Sequence, residues 1–95
     1  ATSPNTNNLT TNLQKVKSQL NGVALYPNPT KSHLNVVLEN DLETRAILYN
    51  TIGQVVRDVQ FQESISFFLG DLSKGIYILH LNNTKGMATK KVVLE

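Results

Sequence analysis

The two histidines, His33 and His80, are the side chains that could serve as a general base near neutral pH. A hydrolase needs a nucleophile beside such a histidine and a carboxylate that orients the imidazole ring. The chain has no cysteine and no Gly-x-Ser-x-Gly sequence, and His33 stands at the start of a predicted β-strand while His80 lies within another. We therefore expect a protein that is not an enzyme.

A polar turn that contains Asn40, Asp41 and Glu43 carries oxygen ligands of the kind that bind calcium. It lacks the series of Asp residues and the glycine that calcium-binding loops typically show. Asp71 and Ser73 are better explained as residues that shape the next turn through local hydrogen bonds. Because the chain has no cysteine, disulfides and thiolate metal sites are excluded. We expect no metal ion and no cofactor.

Charge and composition narrow the class of partner. Nine Lys and Arg residues against seven Asp and Glu residues give a net charge of +2, and the basic residues cluster only at Lys85, Lys90 and Lys91. Nucleic-acid binders usually carry a basic stripe with aromatic residues among it, whereas this chain has no tryptophan, three tyrosines and three phenylalanines. We expect no nucleic-acid partner and no small-molecule substrate.

A length of 95 residues permits one small domain. Apolar residues make up 40% of the chain and charged residues 17%, which argues against a wholly disordered protein. No apolar run approaches the roughly 20 residues of a membrane span. The first residues lack the pattern of a signal peptide, and the chain resembles the C-terminal part of a longer protein.

From Val23 onward, apolar and polar residues alternate, and turn-forming residues recur about every 8 to 12 positions. In the second predicted strand, for example, Leu34, Val36 and Leu38 face one way and Asn35 faces the other. Short strands without a helix between them predict an antiparallel β-sandwich. The predicted strands cover residues 23–26, 34–39, 44–49, 54–60, 64–69, 76–82 and 87–94.

Tyr77 favours one particular sandwich topology. It begins the sixth strand just after a corner at Gly75, where a buried tyrosine can donate its hydroxyl to the upstream backbone, as in the tyrosine corner of immunoglobulin-like domains. Leu72 would then close the bottom of the core. The predicted fold is all-β: a seven-stranded antiparallel immunoglobulin-like β-sandwich, preceded by an N-terminal linker or short helix.

Residues 1–22 differ from the rest of the chain. Their first half consists mostly of Thr, Asn, Ser and Pro, a composition typical of linkers. Leu9, Leu13, Val16 and Leu20 are spaced so that they would share one face of a helix. We interpret 1–22 as a linker or a short amphipathic helix that belongs to the part of the protein upstream, and 23–95 as the folded domain.

The triplet Pro27-Asn28-Pro29 removes two backbone donors and imposes an extended, bent path. Its expected structural role is to carry the chain from one sheet edge to the other and to protect an edge from further pairing.

Four segments, in this order, resemble a known family. They are Leu25-Tyr26-Pro27-Asn28-Pro29-Thr30 with Leu34-Asn35-Val36, then the strand–turn–strand Leu48 to Val56 around Gly53, then Asp71-Leu72-Ser73-Lys74-Gly75-Ile76-Tyr77, and finally Gly86 followed by Thr89-Lys90-Lys91-Val92-Val93. The chain resembles the C-terminal sorting domain, type A, of the type IX (Por) secretion system of Bacteroidetes, over about residues 23–95.

The resemblance implies a sorting signal that directs an upstream cargo through the outer-membrane type IX translocon. The implied partners are the translocon, outer-membrane shuttle components, a cell-surface sortase and the cargo in cis. The implied route passes through the periplasm to the cell surface or the medium, with cleavage within residues 1–22.

The resemblance also implies which residues are recognised. We expect the last strand to be read as an exposed edge through Gly86, Lys90, Lys91, Val92 and Val93, although burial of Val92 and edge protection by the lysines would explain the same residues. The remaining motif residues have sufficient structural reasons. These are Pro27, Asn28, Pro29, Gly53, Leu72, Gly75 and Tyr77.

A second hypothesis is a sandwich module that binds carbohydrate or a surface protein. Carbohydrate modules usually present an exposed aromatic platform. In this sequence, Tyr49 and Phe61 are the aromatic residues most easily placed outside the core.

Overall fold

The computed structural model describes residues 20–95, which form seven β-strands in two antiparallel sheets. One sheet has the order β1-β2-β5 and the other the order β4-β3-β6-β7. The strands are β1 (Val23–Tyr26), β2 (His33–Leu38), β3 (Thr44–Tyr49), β4 (Val55–Phe61), β5 (Ser64–Phe68), β6 (Gly75–Asn83) and β7 (Gly86–Leu94).

The strand pairing is that of an immunoglobulin-like sandwich. Strand β2 pairs with β5, and β3 pairs with β6, although neither pair is consecutive in the chain. These pairs correspond to the B–E and C–F neighbours of immunoglobulin domains, with β4 as an added strand beside C. The predicted all-β sandwich of seven strands is confirmed.

The core forms between the sheets because inward and outward residues alternate along each strand. Leu34 and Val36 of β2, Leu48 of β3, and Leu79 of β6 have no exposed surface. Full burial of such a side chain is worth about 1.5–3 kcal/mol. Leu20 also belongs to the core, at 4% exposure, and the interpretation of 1–22 as a linker or helix otherwise lies outside the described residues.

The tyrosine at the corner before β6 is placed as predicted. Tyr77 is buried, and its hydroxyl donates a hydrogen bond to the Ser73 carbonyl oxygen at 2.5 Å. Leu72 packs half-buried against the core beneath it. This bond fixes the loop that joins β5 to β6.

Phe61 departs from the prediction, because it is buried rather than outside the core. A register shift between Leu48 and Tyr49 interrupts the pairing of β3 with β4. Beyond that bulge, Phe61 pairs with the fully buried Thr44 and faces inward. Within residues 20–95, no helix is long and apolar enough to cross a membrane.

Candidate functional site at the C-terminal strand

Asn28 binds the free edge of β7 through its side-chain amide. Its Nδ2 donates to the Lys91 carbonyl oxygen at 2.9 Å, and its Oδ1 accepts from the Val93 N–H at 3.1 Å. One donor and one acceptor in a planar amide reproduce the hydrogen bonds that a neighbouring strand would supply. The flanking prolines, Pro27 and Pro29, have no N–H of their own to offer.

Thr30 extends this pairing to the end of the chain. Its N–H donates to the Val93 carbonyl at 2.8 Å, and its carbonyl accepts from the Glu95 N–H at 2.8 Å. The Thr30 hydroxyl also donates to the His33 carbonyl, which fixes the turn into β2. We call residues 28–30 the clamp, because they hold the last residues of β7 from the edge.

The other end of the β7 edge is covered by Leu20, whose N–H donates to the Met87 carbonyl at 2.7 Å. The N–H and the carbonyl of Val93 both point away from β6. Because this direction alternates from residue to residue along a strand, the N–H and the carbonyl of Thr89 and the N–H of Lys91 point towards the same outer edge. No residue within 20–95 hydrogen-bonds these three groups. Among the described residues, the edge that the sequence predicted to be exposed is therefore covered towards both ends by Leu20 and the clamp, and it has no backbone partner at Thr89 and the Lys91 N–H.

Lys90 and Lys91 lie on opposite faces of β7. Lys90 lies between Ala88 and Val92, both buried, so it belongs to the inward-facing series and is itself only half-buried. Lys91 is exposed on the outer face, opposite Ile78 of β6. Neither lysine forms an ion pair with another residue in the range 20–95. The two ammonium groups thus do not form a single charged site.

Gly86, Val92 and Val93 have structural roles in the same strand. Gly86 is buried at the β6–β7 hairpin, where the Asn83 Oδ1 accepts from the backbone N–H groups of Gly86 at 3.3 Å and Lys85 at 2.8 Å. Val92 has no exposed surface, whereas Val93 is half-buried on the outer face and held by the clamp. The structure thus brings Lys91 and Val93 to the surface and Val92 into the core.

The segments that begin and end the motif series are joined in space, although Asn28 and Val93 are 65 residues apart in sequence. A family model, described as the secretion system C-terminal sorting domain, matches residues 24–95. The chain belongs to this family. Its members are C-terminal sorting signals for type IX secretion, so the resemblance read from the four motifs is confirmed. A search of curated proteins found no match.

Membership has direct consequences for function. The sorting domain acts as a signal within a secreted protein that travels to the cell surface or the extracellular space. It implies interaction with the type IX machinery and a cargo in cis. The family is a secretion-signal family and is not known for catalysis, and the match does not favour a module that binds carbohydrate or a surface protein.

The sorting domain keeps Gly53 at a position that requires it. Gly53 follows β3 with a φ of 87°, a conformation that residues with a Cβ rarely adopt. The Asn50 Oδ1 organises this turn by accepting from the N–H groups of Ile52 at 3.1 Å and Gln54 at 2.9 Å. Gly75 begins β6, opposite Leu94 of β7.

The two histidines lie on different sheets, and each contacts a hydroxyl group. The Ser32 Oγ is 3.0 Å from the His33 Nδ1, and the Thr89 Oγ1 is 3.4 Å from the His80 Nδ1. Among residues 20–95, no three His, Asp or Glu side chains converge as metal ligands. The structure thus assembles neither a triad nor a metal-binding cluster in this part of the sorting domain.

Two features of the sorting domain escaped sequence reasoning. Tyr26 and Phe68 are exposed on the outer face of the three-stranded sheet, and the Phe68 ring lies 5.3 Å from that of His33. Arg57 of β4 reaches the other sheet, where it donates to the Phe68 carbonyl at 3.0 Å and to Asp71 at 2.5 Å. The alternation of side chains along β1 and β5 could have predicted that both aromatic residues face outward, because each follows an inward-facing residue.

The outer face of the four-stranded sheet carries one ion pair, between Arg45 of β3 and Asp58 of β4. The Arg45 Nε and Nη2 donate to the two carboxylate oxygens at 3.0 Å and 2.7 Å. These hydrogen bonds, and then the attraction between the charges, hold the pKa of Asp58 below its usual range. Both groups are exposed, so the pair contributes little to the stability of the sorting domain.

Proposed function

We propose that the type IX machinery reads this sorting domain at its last strand, β7, and thereby moves the upstream cargo through the outer-membrane translocon. The observation that supports the proposal is the clamp. Asn28 and Thr30 use four hydrogen bonds to hold residues 91–95 as a defined strand. A strand held in this way presents its side chains in one fixed arrangement, which favours repeated recognition on unrelated cargos.

The proposed recognition residues have different roles. Lys91 presents a positive charge on the outer face, on the same side of β7 as Val93, and forms no ion pair with a residue of the described range. Gly86 and Val92 hold the strand in register from within the fold. Lys90 projects inward at an edge strand, a device that also discourages association with foreign strands. Pro27, Asn28, Pro29, Gly53, Leu72, Gly75 and Tyr77 support the fold that presents them.

The proposal includes a route for the domain and the partners that it meets. After transit through the periplasm, outer-membrane shuttle components and the translocon would carry the domain across, and a cell-surface sortase would cut within residues 1–22. The Asn- and Thr-rich composition of that segment suits an accessible tether. We further propose type A of Bacteroidetes as the subclass and source, and a domain that neither catalyses a reaction nor binds a cofactor, a metal ion or nucleic acid.

A secretion assay tests this function. A signal peptide and a fluorescent reporter are fused ahead of residues 1–95 and expressed in a Bacteroidete with an intact type IX system. The same fusion in a translocon-deficient strain is the control. Reporter at the surface or in the medium of the intact strain alone supports the proposal, and its new C-terminus locates the cleavage. Reporter retained in the periplasm of both strains would disprove it.

A further inference from the structure

One end of the outer face of the four-stranded sheet carries three exposed apolar side chains. Ile52, in the turn between β3 and β4, is 77% exposed, and Val55 and Ile76 are 55% and 46% exposed. Ile52 and Ile76 line the same shallow recess, of about 290 Å³, together with polar residues of the two adjoining turns. Single exposed apolar residues are common, but a contiguous group of them marks an interaction surface.

The strand register joins these residues into one surface. Tyr49 of β3 pairs with Val55 on one side and with Ile78 of β6 on the other. Ile78 in turn pairs with Lys91 of β7. Tyr49 and Ile78 are half-buried on the outward side of their strands. The row therefore runs across all four strands and ends at Lys91.

Two lysines place positive charges on this surface. Lys74 is exposed and lines the recess with Ile52 and Ile76. Neither Lys74 nor Lys91 forms an ion pair with another residue in the described part of the chain. In contrast, Arg45 and Asp58 neutralise each other further along the same face. The apolar end thus offers two positive charges to a partner.

We propose that this surface, formed by Tyr49, Ile52, Val55, Lys74, Ile76, Ile78 and Lys91, is where the domain docks onto a protein of the type IX machinery that presents apolar side chains ringed by carboxylates. The inference rests on the proposed function and names the face that the machinery contacts. Apolar burial would supply the affinity, and the lysines would supply orientation. A second copy of this chain fits less well, because a symmetric contact would bring the same lysines together.

Matched variants on the two sheets test the proposal in the reporter fusion. The double variant Val55→Ser with Ile76→Ser removes apolar surface from the docking face, whereas Phe68→Ser removes a side chain that is also 55% exposed from the other sheet. We expect the docking-face variant to lower the exported reporter about tenfold and Phe68→Ser to leave it unchanged. Equal export by both variants, with export of the unaltered fusion intact, would overturn the docking face and leave the sorting function standing.

Charge reversal and cross-linking provide two independent checks. Lys91→Glu should lower export about tenfold, whereas Lys85→Glu, at a lysine that is also exposed but lies in the β6–β7 turn, should not. A photoreactive phenylalanine analogue in place of Ile52 should cross-link to a protein of the machinery in the intact strain, and the analogue in place of Phe68 should not. Adducts at position 52 with lipid alone, or with a second copy alone, would disprove the proposal.

Discussion

The side-chain amide of Asn28 occupies the place of a neighbouring strand beside Val93. The Val93 N–H donates to the Asn28 Oδ1 at 3.1 Å, while the Asn28 Nδ2 donates to the Lys91 carbonyl at 2.9 Å. A side chain between two prolines thereby closes an edge that backbone alone would leave open. The last strand is therefore ordered by a residue near the start of the domain.

Asn28→Ala should lower the free energy of unfolding by about 1–2 kcal/mol, because two exposed hydrogen bonds of the clamp are lost. Chemical denaturation measures this change. Native-state hydrogen exchange should show faster exchange at Val93, whereas the Thr89 N–H, which lies on the open stretch, should exchange quickly in both proteins. Asn28→Asp keeps the acceptor for Val93 and loses the donor to Lys91, so its stability should fall between the two. Unchanged protection of Val93 would show that the clamp is not formed in solution.

Tyr77→Phe should destabilise the domain by about 1 kcal/mol, because the hydrogen bond from its hydroxyl to the Ser73 carbonyl is lost while the ring stays buried. For a domain of this size, that loss corresponds to a fall in Tm of about 4–8 °C. Tyr26→Phe is the matched control, since Tyr26 is 52% exposed and its hydroxyl can bond to water in either state. Equal Tm values for the two variants would contradict the tyrosine corner.

Lys90→Ala combined with Lys91→Ala should leave the fold intact and lower cargo export. Both side chains lie at an edge strand and form no ion pair within residues 20–95, so their removal costs the fold little. Because Lys91 alone lies on the exposed outer face, Lys91→Ala should account for most of the loss. The measurement is the amount of exported reporter, with far-UV circular dichroism as the check on folding. Full export by a folded double variant would disprove the role of this pair.

Arg45→Ala should raise the pKa of Asp58 toward its usual range, because the guanidinium that stabilises the carboxylate is removed. A carboxyl group whose pKa is lower in the folded state stabilises the fold above its unfolded pKa, near 3.9. That contribution disappears as the pH falls through the folded pKa. NMR titration of the Asp58 carboxyl carbon measures the shift. An identical midpoint in the two proteins would show that the ion pair does not persist in water.

The period-two alternation predicted most of the fold, because packing between two sheets imposes that period directly on the sequence. In β2, Leu34, Val36 and Leu38 share one face as predicted and are buried, and the observed strand boundaries lie within about two residues of the predicted ones. The same period also predicts the directions of the two lysine side chains. Since Ala88 and Val92 face inward, Lys90 must do so and Lys91 must face outward.

Two structural features, one in the β3–β4 pair and one at the candidate site, could not be predicted from this period. The bulge between Leu48 and Tyr49 changes the register of β4, and such a shift depends on the partner strand rather than on β4 itself. The bond from Asn28 to Val93 joins residues 65 positions apart, and no local pattern encodes a contact at that separation. Only the folded strand order brings the clamp to β7.

The clamp makes the order of residues 28–30 depend on the last residues of β7. Because the Asn28 amide and the Thr30 backbone bond to residues 91–95, a polypeptide that ends before Val93 would lack the partners that close this edge. Such a product would expose an unpaired β-edge of the kind that quality-control proteases and chaperones encounter in unfinished chains. Loss of residues 91–95 would therefore weaken the segment that precedes β2 as well as the last strand itself.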